Sequence, residues 1–212
     1  MSHAGAWRAF TLQSCFLGTV HKAVAELAAA LPLPAAAFRK APEPLSLLDI
    51  GSGGGSLSRK FSEEQVKVTS LDCSYPMLCR LKRAKPGAKG VQADAAALPF
   101  PDKIFDVAVL SFVLHTLSSV GQERAVGEAR RVSRAVILAD YCLVERNLHY
   151  PAGAVASFIE LWAGCRHFRA YRNFVRHGGL RGLCSRFVLK PAAEAPVLGH
   201  IGAALVVSGE WW

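Results

Sequence analysis

The apolar positions of this chain fall into short, nearly continuous runs separated by amphipathic or turn-rich stretches. Runs at 45–50, 66–71, 90–93, 105–115 (a strand and its exit) and 135–143 have the length and the near-unbroken Leu/Val/Ile character of strands buried on both faces. Between them, apolar residues recur at helical spacing. The pattern predicts helices over 57–64, from 77 into a basic stretch that loops by 90, and over 122–134. Ahead of the first strand, Trp7, Phe10, Leu17, Val20, Val24 and Leu27 share helical spacing, and Pro32, Pro34, Pro42 and Pro44 mark a connecting segment. Alternation of strand and helix predicts a mostly parallel sheet with helices on both faces, the doubly wound α/β class. Beyond residue 144 the alternation stops. Phe158, Ile159, Leu161 and Trp162 suggest one helix. A second, over 165–177, sets Arg166, Arg169, Arg172 and Arg176 against Phe168, Tyr171, Phe174 and Val175, and Gly178-Gly179 ends it. Runs at 186–190 and 198–207 read as two closing strands.

The candidate chemistry sits where the predicted strands end. The first runs through Asp49 into Gly51-Ser52-Gly53-Gly54-Gly55. Gly51 and Gly53 suit positive φ or close backbone approach, and Gly55 suits tight packing of a following element. A helix starting near Ser56 would aim free N–H groups at a ligand. A dinucleotide fingerprint, G-x-G-x-x-G counted from Gly51, fails because its third glycine falls on Ser56. The second strand ends at Asp72, about 20 residues on, where nucleotide-binding α/β folds set a carboxylate against two ribose hydroxyls. Ser111 and Phe112 lie at the C-terminal end of the fourth strand, the ligand-binding edge of an open parallel sheet. His115 lies just past it and is the best-placed candidate for taking a proton. Asp106 opens the same strand and reads as structural. His149, Tyr150, Tyr141 and Tyr171 are weaker candidates.

Asp49-x-Gly51-x-Gly53-x-Gly55 resembles motif I of the class I S-adenosylmethionine (SAM) dependent methyltransferases. Asp72-Cys73-Ser74-Tyr75-Pro76-Met77-Leu78 is similar to the D-x-S-x-x-M-L element of the type 11, ubiquinone/menaquinone-biosynthesis-like, methyltransferases. The stretch from Gln92 through Asp94-Ala95 to Leu98-Pro99-Phe100-Pro101-Asp102, and that from Phe105 to His115, resemble two further stretches of that family. The resemblance implies SAM as cofactor, with Asp49, Gly51, Ser52, Gly53 and Gly55 in its loop and Asp72 on the ribose. It implies that Cys73 and Met77 line the adenine slot, that Asp94 and Ala95 meet the adenine edge, and that Ser111 and Phe112 lie alongside. It also implies a seven-stranded Rossmann-like sheet ending in an antiparallel hairpin. Specific motifs cover 45–143, and 184–208 matches by pattern only. The organisation expected is a single domain: an N-terminal helix and connector (1–44), a SAM-binding core (45–143), a helical cap (144–183) and closing strands (184–212).

Composition narrows the setting. A chain of 212 residues with 51% hydrophobic content builds a sizeable core. No uninterrupted apolar run reaches membrane-spanning length, and the first residues lack a signal-peptide pattern. The six cysteines form no C-x-x-C, so no metal site is expected, and reduced thiols fit a cytoplasmic protein. The formal charge of +9 and the arginine stripe leave three readings of residues 166–176 open: a cap over a small substrate, a basic surface for nucleic acid or anionic lipid, or a solvated face. The function expected is methyl transfer to a small-molecule acceptor. The alternatives are an RNA or protein methyltransferase docking through Arg166–Arg176, and a non-catalytic SAM-binding subunit.

Overall fold

The computed structural model describes residues 22–24, 26–27, 44–61, 65–142, 151–197 and 202–208. Expectations for Trp7, Phe10, Leu17, Val20, most of the proline-rich connector, His149 and Tyr150 lie outside the described residues.

Seven strands form one sheet: β1 (Leu45–Ile50), β2 (Val66–Asp72), β3 (Lys89–Gln92), β4 (Phe105–Ser111), β5 (Ser133–Tyr141), β6 (Ala193–Val197) and β7 (Gly202–Ser208). Their spatial order is β3-β2-β1-β4-β5-β7-β6. The first five are parallel, whereas β7 runs antiparallel to both β5 and β6. The sheet expected from the resemblance is therefore the one found.

Strand parity builds the two-sided core. Leu47, Val107, Val109, Ile137, Ala139, Ala204 and Val206 face one way, where the helical residue Val24 packs on them. Leu48, Ile50, Ala108, Leu110, Val136, Leu138 and Leu205 face the other. That second face is covered by α2 (Ser119–Val132) and by a cap of α3 (Pro151–Ala163), α4 (Cys165–Arg176) and α5 (Gly179–Arg186). The remaining helix, α1 (Tyr75–Ala84), packs Leu78 and Leu81 against Ala88. Asp106 is structural: its Oδ2 accepts from the Ser46 N–H at 2.9 Å and from the Ser46 hydroxyl at 2.6 Å, clasping β4 to β1.

Five element expectations need correction. The helix predicted over 122–134 is α2, which starts three residues earlier and ends two earlier. The helix predicted over 57–64 is, among the described residues, a single 3₁₀ turn, Ser58–Lys60. The Ser58 hydroxyl donates to the Gly55 carbonyl at 3.0 Å, occupying an acceptor that a helix would use. Strand β3 starts one residue earlier than expected, and β5 covers Ser133–Tyr141 rather than 135–143. The run at 186–190 is no strand: α5 reaches Arg186, a turn follows, and the hairpin strands are Ala193–Val197 and Gly202–Ser208.

Candidate functional site

The strand order reverses between β1 and β4, and in such sheets a crevice opens beyond the carboxyl ends of those two strands. The loops leaving them touch. Gly51 has φ +71°, and a Cβ there would lie 2.7 Å from Val113 Cγ2. Both the conformation and the contact demand glycine. The loop then folds back on β2, with the N–H groups of Gly51 and Ser52 donating to the Leu71 carbonyl at 2.8 and 3.0 Å. Gly53, at φ +54°, borders open space. Gly55, at φ +75°, packs under Leu81 of α1 rather than against a helix that directly follows the loop.

The acid that ends β2 reaches this loop. Asp72 Oδ2 accepts the Gly53 N–H at 2.8 Å, and its Oδ1 accepts the Ser74 N–H at 2.8 Å. The carboxylate thus joins the loop to the start of α1 and keeps lone pairs for a further donor. Gln92 Nε2 donates to the Cys73 carbonyl at 3.2 Å, tying the end of β3 to the end of β2. Asp94 is exposed and turns its own segment, accepting the Ala96 N–H at 2.9 Å. Cys73 is exposed, while Met77 and Ala95 are half-buried.

Beneath the loop lie polar groups without partners. Asp49 is 2% exposed, and its Oδ2, the Ser52 hydroxyl and the Ser111 hydroxyl are buried with no hydrogen-bond partner. Burial, and then the charge of Asp72, push the Asp49 carboxyl up to about 7. On the other wall Phe112 has φ +54°, a conformation costly for a bulky residue. Its ring packs edge-on against Tyr141, with centroids 5.0 Å apart.

His115 lies on the 3₁₀ turn Leu114–Thr116, 2% exposed. Its Nδ1 is 2.8 Å from Asp140 Oδ1, and its backbone N–H donates to Asp140 Oδ2 at 3.2 Å. Its Nε2 faces the cap, 3.5 Å from Glu160 Oε2 and 3.4 Å from His167 Nε2. His167 Nε2 is 2.7 Å from the same Glu160 oxygen, while Glu160 Oε1 accepts the Tyr141 hydroxyl at 2.5 Å. Burial alone would lower the His115 pKa, but Asp140 and Glu160 outweigh it and carry it up to about 10. Burial would likewise raise the Glu160 carboxyl, but His115, His167 and the Tyr141 hydroxyl hold it below the usual range. Tyr141 is pushed well above the usual phenol range by burial and by Glu160.

No sequence motif marks Asp140, Glu160 or His167. One signal was available: Glu160 is the lone charged residue of α3, whose other residues are apolar apart from Ser157. Such an acid needs a partner if its helix is to be buried.

Residues 48–135 match the methyltransferase-domain family of type 11. The malonyl-[acyl-carrier protein] O-methyltransferase of Pseudescherichia vulneris is 37% identical over 91 residues, 43% of this chain and 36% of that one. The ubiquinone/menaquinone biosynthesis C-methyltransferase UbiE of Yersinia enterocolitica is 40% identical over 96 residues, 41% of this chain and 37% of that one. The chain thus spans little more than a third of the length of these curated relatives. Among solved structures, the PH0226 protein of Pyrococcus horikoshii superposes with a TM-score of 0.58 at 16% identity, covering 84% of this chain and 87% of that one.

Proposed function

Since residues 48–135 form a class I, SAM-dependent methyltransferase domain of type 11, we propose that the chain transfers the methyl group of SAM to a small-molecule acceptor. One observation carries this reading. The glycine loop at the sheet's switch point, Asp72 at the end of β2 and Asp94 just past β3 lie at the carboxyl edge of the parallel strands, and Asp72 already bonds the loop. The relatives are named for O-methylation of malonyl-[acyl-carrier protein] and for C-methylation in ubiquinone/menaquinone biosynthesis, which favours a small acceptor group. Among the described residues, no helix is long and apolar enough to cross a membrane.

The residues present fit the cofactor. Gly53 borders open space beside Asp72, and a buried carboxylate oxygen at Asp49 lacks a partner. SAM supplies, when bound, an electrophilic methyl group on a sulfonium. In this reading Asp49 offers its free oxygen to the ammonium of the methionine part, and ionises as it does so. The Ser52 and Ser111 hydroxyls supply further donors and acceptors. Asp72 meets the ribose hydroxyls through its remaining lone pairs, and Asp94 with the Ala95 N–H meets the adenine edge. Cys73 and Met77 line the adenine slot. Phe112 forms an apolar wall that excludes water. Held in place, two reactants can gain about 7–11 kcal/mol from alignment alone. His115 acts by position: charged and enclosed between two carboxylates, it ties the exit of β4 to the cap and accepts no proton in that state.

The test is a thermal melt with SAM, S-adenosylhomocysteine or NAD in large excess. A ligand at 100 times its Kd adds about 2.7 kcal/mol, a rise of about 5–10 °C at this size. Both SAM-type ligands should shift the melt and NAD should not. Asp72→Ala should fold normally and lose most of that shift, in line with about 1.5–3 kcal/mol for a hydrogen bond to a charged group. No shift with either SAM-type ligand would overturn the proposal and favour an interaction subunit that keeps the fold.

A further inference from the structure

The cluster that joins the cap to the sheet has more order than an anchor requires. Three atoms converge: His115 Nε2 from the turn after β4, Glu160 Oε2 from α3 and His167 Nε2 from α4. They are separated by 3.5, 2.7 and 3.4 Å. A circle through points so spaced has a radius of about 1.9 Å. An ion at about 2.0–2.2 Å from each, the range for zinc with nitrogen and oxygen ligands, would then lie about 0.7–1.1 Å off their plane. That is the placement of a tetrahedral ion with its fourth position open.

The surrounding contacts orient each donor. The Asp140 carboxylate, fully buried, takes His115 Nδ1 and so turns Nε2 inward. This carboxylate–imidazole pairing is the usual outer support of a metal-bound histidine. Asp140 is in turn fixed by the Tyr141 N–H at 2.8 Å. The Tyr141 hydroxyl holds one oxygen of Glu160, and the other, buried, meets no aligned hydrogen-bond donor. Two imidazoles and one carboxylate are the donor set of three-ligand zinc sites and of ferrous sites. The His167 side chain, 33% exposed, gives an ion its path in and leaves the open position toward solvent.

We propose that His115, Glu160 and His167 form a binding site for a divalent transition-metal ion, which displaces the Nε2 proton of His115 to solvent, cross-links α3 and α4 to the sheet edge and keeps one coordination position open. The site is separate from the SAM-binding edge in its residues, and its test needs no methyl transfer. It also revises the sequence expectation of no metal, which rested on cysteine spacing alone.

The experiment titrates chelator-treated full-length protein with Co²⁺ and follows visible absorption, with Zn²⁺ stoichiometry measured by elemental analysis. One ion per chain is expected, with the intense visible bands of four-coordinate Co²⁺, no thiolate charge-transfer band, and a higher melting temperature. His167→Ala removes a partly exposed ligand and should fold. It should bind Co²⁺ at least tenfold more weakly, since even outer-shell changes cost about 10–100-fold. Glu160→Gln should also weaken binding, and His177→Ala, elsewhere on the cap, should leave it unchanged. No stoichiometric binding by folded wild-type protein, binding that survives His167→Ala, or a thiolate band would each overturn the assignment.

Discussion

Asp49 shows how one residue couples stability to ligand. Its carboxyl is raised to about 7 by burial and by Asp72, against 3.8 as an ordinary aspartate. A group whose folded pKa lies above its unfolded one binds protons more tightly in the folded state. Its stabilising contribution is therefore complete below about pH 4 and is lost as pH rises through about 7. The unliganded protein should melt progressively lower from pH 6 to pH 8, and Asp49→Asn should flatten that fall. An ammonium group set against Asp49 favours the ionised form, so the melt shift given by S-adenosylhomocysteine, which keeps that ammonium, should grow over the same interval in wild type and not in Asp49→Asn. Equal pH profiles for the two proteins would remove Asp49 from the site. The position of this acid is plain in the sequence, because it stands two residues before Gly51. Its unpartnered oxygen is not, since that depends on which side chains of four strands and two loops fail to reach it.

At the scale of elements, the sheet is legible and the cap only half so. Buried parallel strands announce themselves as apolar runs: β1 and β2 start and end within a residue of expectation, and β4 starts where expected. The arginine and aromatic faces of α4 are likewise visible, and Tyr171, Phe174 and Val175 are its buried side. The missed helix, α5, follows from Gly178-Gly179. Read as a stop, this pair is also a restart: Gly178 takes the left-handed conformation at φ +86° and caps the next helix, which buries Leu180, Leu183 and Cys184. Gly182 shows how tight this corner is. A Cβ there would lie 1.8 Å from the His177 carbonyl oxygen, inside backbone that has no soft side chain to yield. Gly182→Ala should destabilise the protein by about 1–3 kcal/mol, the usual cost of overpacking, and chemical denaturation would read it. Since α5 packs on β5 and α4, the S-adenosylhomocysteine shift should persist in the folded fraction. A fully neutral Gly182→Ala would mean that α4 and α5 meet differently. The His115–Glu160–His167 cluster was hidden for a related reason. Its members come from three elements, and only the packing of α3 and α4 against the exit of β4 brings them together.

For the whole molecule, the sheet divides the protein by direction as well as by face. Every residue of β4 is buried, and β1 and β5 flank it, whereas β3 and β6 are edges with exposed positions. Pro196 in β6 has no N–H to offer, which suits an edge strand. Amide exchange should therefore be slowest in β1, β4 and β5, close to the global unfolding limit, and fastest in β3 and β6. The groups assigned to the cofactor all lie at one end, beyond the carboxyl termini of the parallel strands, and α2 enters β5 at the opposite end through Val132 and Ser133. Binding of S-adenosylhomocysteine should then slow exchange at 51–56, 72–75, 94–97 and 111–113 well beyond the change in global stability. Residues 98–106 and 128–135, where Arg131 clasps Glu128 and Asp102, should change only by the global amount. Metal, by contrast, should protect the junction of α3 with α4 around 158–168 without touching the glycine loop. Two ligands with two separate protection maps would establish two sites on one fold. A single shared map would merge them and place the His115 cluster inside the cofactor cleft.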